Sequence, residues 1–169
     1  MAKLETKFDA LLRVLSDHQV DYIVIGGVAA VVYGANRATF DIDIVYSRQS
    51  ENIKRLANAL APLQPYLRNT PPGLPFKWDE RTLLAGLNFT LETTLGYIDV
   101  LGEVTGGGSY VELLPYSAEI NVYGVITRCV TLERLIFLKR AAGRPKDFEA
   151  LAELELLFAE RLASQPHKE

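Results

Sequence analysis

Asp41 and Asp43 sit two residues apart in an otherwise apolar run, Phe40-Asp41-Ile42-Asp43-Ile44-Val45-Tyr46. Side chains alternate across a β-strand, so both carboxylates point to one face while Ile42 and Ile44 point to the other. Two carboxylates on one face repel each other, and burying them uncompensated is costly. A divalent cation between them removes that cost, and hard oxygen ligands are what magnesium prefers. For this pair alone, the competing reading is an edge strand with a solvated acidic face. A third carboxylate, Asp99, interrupts a second apolar run, Tyr97-Ile98-Asp99-Val100-Leu101. Aspartate is a poor strand residue, and inside such a run it needs water or a cation. If the two strands are neighbours, the three carboxylates converge. That arrangement suits two metal ions roughly 3.5–4 Å apart, one for an attacking oxygen and one for a leaving phosphate.

Gly26-Gly27 follows a short apolar run and precedes a helical one. Glycines there let backbone N–H groups approach a phosphate, and a helix N-terminus adds favourable partial charge. A plain strand-to-helix turn would use the same residues, and the pattern is neither a Walker loop nor a dinucleotide fingerprint. Lys139 falls on one helical stripe with Leu132, Leu135 and Ile136, where an apolar residue is expected. It must either find an anionic partner, such as a phosphate, or reach water by its long stem. Arg144 and Lys146 follow in the next turn, where basic residues commonly just solvate. Asp147 suits the dipole at a helix start.

These residues need elements to hold them. Phe8, Leu11, Leu12 and Leu15 repeat at helical spacing and predict a helix over 4–18. Tyr22 to Ile25 reads as a strand buried on both faces, Val28 to Tyr33 as a short helix, and Phe40 to Tyr46 as the strand of the paired aspartates. A helix runs from Ser50 to about Leu60, stopped by Pro62 and Pro65, and Asn69 to Gly73 is a loop. Leu87–Thr93 with Gly96–Leu101, and Ile120–Val122 with Val125–Val130, suggest two hairpins, with Gly106 to Gly108 a flexible turn. Helices over 132–142 and 146–163 close the chain, separated by Gly143 and Arg144-Pro145. Strands mixed with helices, hairpins among them, make an α/β (α+β) fold on a mixed sheet.

The 169 residues suit one domain, and with 49% apolar residues it can bury a real core. No apolar run approaches the roughly 18 residues needed to span a bilayer, and the first residues lack a signal peptide's apolar centre. A lone Cys129 excludes an intramolecular disulfide, so a cytoplasmic location is expected. His18 and His167 lie too far apart in sequence, with no cysteine cluster, for a zinc site to be expected. The net charge of −3 argues against a surface coated for nucleic acid. Five basic residues between Glu133 and Asp147 (Arg134, Lys139, Arg140, Arg144 and Lys146) nevertheless allow a local anion site.

Ile25-Gly26-Gly27, thirteen intervening residues, then Asp41-Ile42-Asp43-Ile44 resembles the signature of the DNA polymerase β-like nucleotidyltransferase superfamily. Asp99 matches the third carboxylate that follows on a later strand in that superfamily. The segment Leu135 to Asp147 is similar to one in small bacterial nucleotidyltransferases of the abortive-infection and toxin–antitoxin type. The matches run from about Tyr22 to Leu157, loosely over 62–86. The resemblance implies a minimal nucleotidyltransferase fold, a mixed β-sheet flanked by helices with a C-terminal helical pair. Residues 1–130 would be the core and 131–169 the helices packed on it, within a single domain. It implies that Gly26 and Gly27 hold a nucleoside triphosphate and that Asp41 and Asp43 bind Mg2+, two ions in all. Asp99 would bind metal or activate the acceptor hydroxyl. Lys139 and Arg144 would meet the phosphates, with Arg37 and Thr39 at the rim. The implied reaction moves a nucleotidyl group onto an acceptor hydroxyl, on an RNA 3′ end such as that of tRNA, a partner protein or a small molecule. A toxin–antitoxin or phage-defence role follows from the same likeness. The competing class is a non-catalytic nucleotide-binding or antitoxin-type interaction module. A phosphohydrolase built on the same carboxylates is a weaker third, since no dedicated water-activating base stands out.

Overall fold

A computed structural model describes residues 4–166; His167 lies outside them. Inside its sheet runs β1 (Tyr22–Ile25), all of whose side chains are buried. β2 (Asp41–Tyr46) runs antiparallel to β1, and β5 (Gly96–Leu101) runs parallel to β2. β4 (Asn88–Thr93) makes the expected hairpin with β5, and the two-residue β3 (Tyr66–Leu67) pairs with β4 at one edge. On the other side β9 (Val125–Val130) lies parallel to β1 and pairs with the edge strand β8 (Ser117–Val122). The result is a seven-stranded mixed sheet of order β3-β4-β5-β2-β1-β9-β8.

Helices cover this sheet. α1 (Phe8–Asp17) buries Leu11, Leu12 and Leu15, and α3 (Ser50–Leu60) buries Ile53, Leu56 and Leu60. Asn52 of α3 is fully buried, and it is satisfied by the backbone at one end of the antiparallel β1–β2 pair, where Asp21 enters β1 and Ser47 leaves β2. Its amide donates to the carbonyls of Asp21 (3.0 Å) and Ser47 (2.8 Å), and its Oδ1 accepts from Asp21 N–H (2.7 Å). α2 spans Gly26–Val32, so it starts two residues earlier than expected, directly off the strand.

α1 starts at Phe8 rather than at residue 4 because the preceding segment is used otherwise. Thr6 Oγ1 donates to the Phe40 carbonyl and accepts from Tyr97 N–H (3.0 Å), and Lys7 N–H donates to Leu95 O (2.8 Å). The N-terminal segment thus clasps the starts of β2 and β5, the two strands that carry the aspartates.

Two short helices escaped periodicity. α4 (Glu80–Ala85) is capped by Asp79, whose Oδ1 accepts from Thr82 N–H at 2.8 Å. α5 (Tyr110–Leu113) opens on a capping box of Ser109 and Glu112. The turn at Gly106–Gly108 belongs to a small hairpin of β6 (Glu103–Val104) and β7 (Gly108–Ser109). The chain closes with α6 (Leu132–Ala142), ended by Gly143 at φ 63°, and α7 (Pro145–Ala163), which pack on each other. Among the described residues no helix is long and apolar enough to cross a membrane.

Candidate active site

The β2–β5 register sets Asp43 directly opposite Asp99 and Asp41 opposite Tyr97. Alternation turns all three aspartates to the same side, and each offers an oxygen within 4.8 Å of the others. Ile42, Ile44, Ile98 and Val100 fill the opposite side and are fully buried, so the apolar face fixes the carboxylate face.

Gly26 closes the site from below. Its φ is +67°, and a Cβ built there would stand 2.1 Å from Asp43 Oδ2. Only glycine fits both the left-handed backbone and the approach of the carboxylate. Beside it, a Cβ on Gly27 would stand 2.7 Å from Thr39 Oγ1. That hydroxyl also donates to Asp41 O at 3.1 Å, so Thr39 stitches the glycine turn to the start of β2.

The electrostatics follow from crowding. Burial, then the negative charges of Asp41 and Asp99, push the Asp43 carboxyl well above the usual carboxylate range, while Lys139 opposes this. Asp99 is also raised, by burial first and by Asp41; its contact with Asp43 and the Arg68 guanidinium pull it partly back. Such a site favours whatever positive charge enters it.

One positive charge is already there. Arg68 follows β3 in the loosely matching middle of the chain, and sequence reasoning missed it. Its Nη1 donates to Asp41 Oδ2 at 3.2 Å. Its Nη2 donates to Leu91 O at 2.7 Å and lies 3.0 Å from Asp99 Oδ1. The second carboxylate contact is one of charge without hydrogen-bond alignment, so that buried oxygen has no hydrogen-bond partner among the described residues. No local pattern marks Arg68, because it reaches the site through a two-residue edge strand.

The α6–α7 corner forms the other wall. Asp147, read from sequence as a helix-dipole residue, is fully buried and gathers cations. It accepts from Arg144 Nε at 2.7 Å and from Arg144 N–H at 3.1 Å, and it meets Lys139 Nζ at 3.4 Å. Burial acts to raise its pKa, but Arg144 and Lys139 prevail and hold it below the usual value. The spacing Arg144-x-x-Asp147 was the available signal. Lys139 therefore has an anionic partner inside the protein and still lines the cavity. Arg37 lines it too, although its own donors are committed to α7: Nη2 to Glu149 O at 2.5 Å and Nε to Glu153 at 3.3 Å.

Gly26, Gly27, Arg37, Thr39, Asp41, Asp43, Asp99, Lys139 and Arg144 line one cavity of about 720 Å³, as does Lys146. Arg134 and Arg140 of the expected basic cluster do not: Arg134 lies over the Tyr116 ring at 3.4 Å, and Arg140 pairs with Glu155. Its lining combines an acidic group, Asp41, Asp43 and Asp99, with basic Lys139 and Arg144, the two kinds of charge that a cation and a chain of phosphates require together. The three carboxylates fit a hard divalent cation: all donors are oxygens, one buried oxygen lacks a hydrogen bond, and Gly26 leaves room.

Solved structures share the architecture. The lincosamide antibiotic adenylyltransferase LnuA, determined with lincomycin bound, superposes with TM-score 0.61 at 17% identity, over 92% of this chain and 99% of its own. The Thermotoga maritima protein TM1012, assigned as a nucleotidyltransferase, gives 0.55 at 15% identity, over 86% of this chain and 88% of its own. The antibiotic-resistance factor ANT(2'')-Ia gives 0.52 at 18% identity, over 92% and 91%. Likeness at these identities is one of fold. No curated protein matches the chain by sequence. The profile of the family described as "nucleotidyltransferase of unknown function (DUF6036)" matches residues 2–94, more than half of the chain, including Gly26, Gly27, Asp41, Asp43 and Arg68. With the fold and the sequence match in agreement, the chain belongs to the DUF6036 nucleotidyltransferases.

Proposed function

We propose that the chain is a Mg2+-dependent enzyme that moves a nucleoside monophosphate from a nucleoside triphosphate to an acceptor hydroxyl. The observation that carries this is the convergence of Asp41, Asp43 and Asp99 within 4.8 Å in a cavity that Lys139 and Arg144 also line. Asp41 and Asp43 hold the cation, with Asp99 either a ligand or the group that draws the proton from the acceptor. Bound there, Mg2+ supplies positive charge for the oxygens of the reacting phosphate. Gly26 and Gly27 present backbone to the triphosphate, Lys139 and Arg144 meet its charge, and Arg37 and Thr39 shape the rim. The acceptor oxygen forms a bond to the α-phosphorus as the bond to the bridging oxygen of the β-phosphate breaks, so pyrophosphate leaves. Residues 1–130 act as the core and 131–169 as helices that complete the basic wall, in a single domain. Catalysis here needs little beyond positioning and charge.

The acceptor hydroxyl lies on an RNA 3′ end or a protein, in a toxin–antitoxin or phage-defence setting inside the cell. A small-molecule acceptor is the second reading. The walled cavity and the likeness to almost the whole of LnuA, a chain that binds lincomycin, favour it. A non-catalytic module is disfavoured because all three carboxylates are intact and share one face of the sheet within 4.8 Å. The test is incubation with Mg2+ and each labelled nucleoside triphosphate, presented with RNA, cell protein and a panel of hydroxyl-bearing small molecules. Wild type is compared with Asp41→Asn/Asp43→Asn. Carboxylate-dependent label in one pool establishes transfer and names the acceptor class. Nucleotide binding without transfer in any pool selects the module, and absence of Mg2+-dependent nucleotide binding removes the reading altogether.

A further inference from the structure

We infer that Arg68 is a resident countercation: it holds the carboxylates assembled before nucleotide arrives and makes cation loading depend on the nucleotide. The inference rests on the proposed metal site. Arg68 is only 14% exposed and is held on several sides. Its backbone N–H donates to Thr90 O at 2.9 Å, its Nη2 to Leu91 O at 2.7 Å, and its guanidinium lies 4.7 Å from the centre of the Tyr97 ring. From that fixed position it bridges two of the three carboxylates, 3.2 Å from Asp41 and 3.0 Å from Asp99. An arginine recruited only for packing has no need to aim at two carboxylates.

Charge arithmetic gives the consequence. A guanidinium stays protonated under all ordinary conditions, so its single positive charge is always present. With all three carboxylates ionised, and Lys139 and Arg144 shared with Asp147, one arginine among them leaves a deficit of two charges, which one divalent cation closes. A second divalent cation then enters a site with no negative charge left to meet it, until the phosphates of the nucleotide supply some. The oxygens that face Arg68 are also unavailable to that second ion while the guanidinium stays. Binding of cation and nucleotide is therefore coupled through Arg68, the arginine giving way at Asp99 as the nucleotide brings its own cation.

The test is Mn2+ titration of the nucleotide-free protein, read by the electron paramagnetic resonance of free Mn2+, for wild type, Arg68→Gln and Arg68→Lys, then repeated with a non-transferable α,β-methylene nucleotide. Wild type is expected to bind one ion without nucleotide and two with it. Arg68→Gln should bind two ions without nucleotide, the tighter at least about tenfold more tightly than in wild type. Arg68→Lys, which keeps the charge, should follow wild type in number of ions. Two ions in nucleotide-free wild type, or unchanged or weaker binding in a folded Arg68→Gln, overturns the countercation role and leaves the metal site standing. If Arg68→Gln does not fold, the wild-type titration and Arg68→Lys still decide. Mn2+ bound by none of the proteins, even with nucleotide, removes the metal site and the inference together.

Discussion

Asp43 is confined by Gly26 below and by two other carboxylates beside it. Gly26→Ala places a Cβ on the carboxylate in a left-handed backbone that costs about 1–2 kcal/mol for any other residue. Displacing Asp43 by even part of an ångström should lower kcat/KM of transfer by about a hundredfold or more, while circular dichroism stays native. The raised Asp43 and Asp99 carboxyls fix a pH dependence. Their protons are held more tightly folded than unfolded, so this stability is present at low pH and is lost as pH rises past the ordinary carboxylate range, about 4. In EDTA the melting temperature should fall as pH climbs from there, and the rise given by Mg2+ should grow over the same interval. A Mg2+ effect that is flat with pH would contradict the clustered, crowded site. Cys129 is a simpler case. Burial pushes its thiol to about 12, and no part of it is exposed. Ellman's reagent should leave it untouched in the native protein at pH 8 and titrate one thiol in urea.

What sequence revealed at this scale depended on how local each cause is. The shared face of Asp41 and Asp43 follows from alternation within one strand, so it was legible. The partnership with Asp99 needs β2 and β5 to be neighbours across more than fifty residues of chain, and only a resemblance supplied it. Arg68 reaches the site through a pairing of two residues, too short to leave a pattern.

At the scale of elements, the α6–α7 corner is the feature on which the basic wall depends. Asp147 there satisfies Lys139, Arg144 and the start of α7 at once. Asp147→Ala should cost about 1–3 kcal/mol in urea denaturation, because it strands two cations and a helix end. It should also raise KM for the nucleotide more than it lowers kcat, since freed Lys139 and Arg144 no longer converge. Asp147→Asn, able to accept from the Arg144 backbone, should recover part of the stability and less of the KM. The helix boundaries here were legible from Gly143 and Pro145. The burial of Asp147 was not, because a helix-start aspartate looks the same in sequence whether solvent or a second helix covers it. The four- and six-residue helices α5 and α4 are too short for a hydrophobic period, yet Ser109-x-x-Glu112 and Asp79-x-x-Thr82 signal their starts.

For the whole molecule, the question is whether the last two helices share the stability of the sheet. Trp78, the sole tryptophan, is a reporter on the far side: it donates Nε1–H to Ala57 O at 3.2 Å and packs edge-on to Phe89 at 5.7 Å. If residues 1–130 and 131–169 form one cooperative unit, tryptophan fluorescence and helical ellipticity should lose their native signal at the same urea concentration. A helical phase that melts first would make the C-terminal pair a separate unit. The mixed sheet was predictable in kind from runs and turns. The strand order was not, since β9 beside β1 joins segments about a hundred residues apart.

A single hydroxyl, that of Thr6, ties the leading segment to the starts of both aspartate-bearing strands. Because that one group is shared, β2 and β5 cannot slide past each other at this end without breaking both of its bonds, so a change as small as Thr6→Val loosens two strands at once.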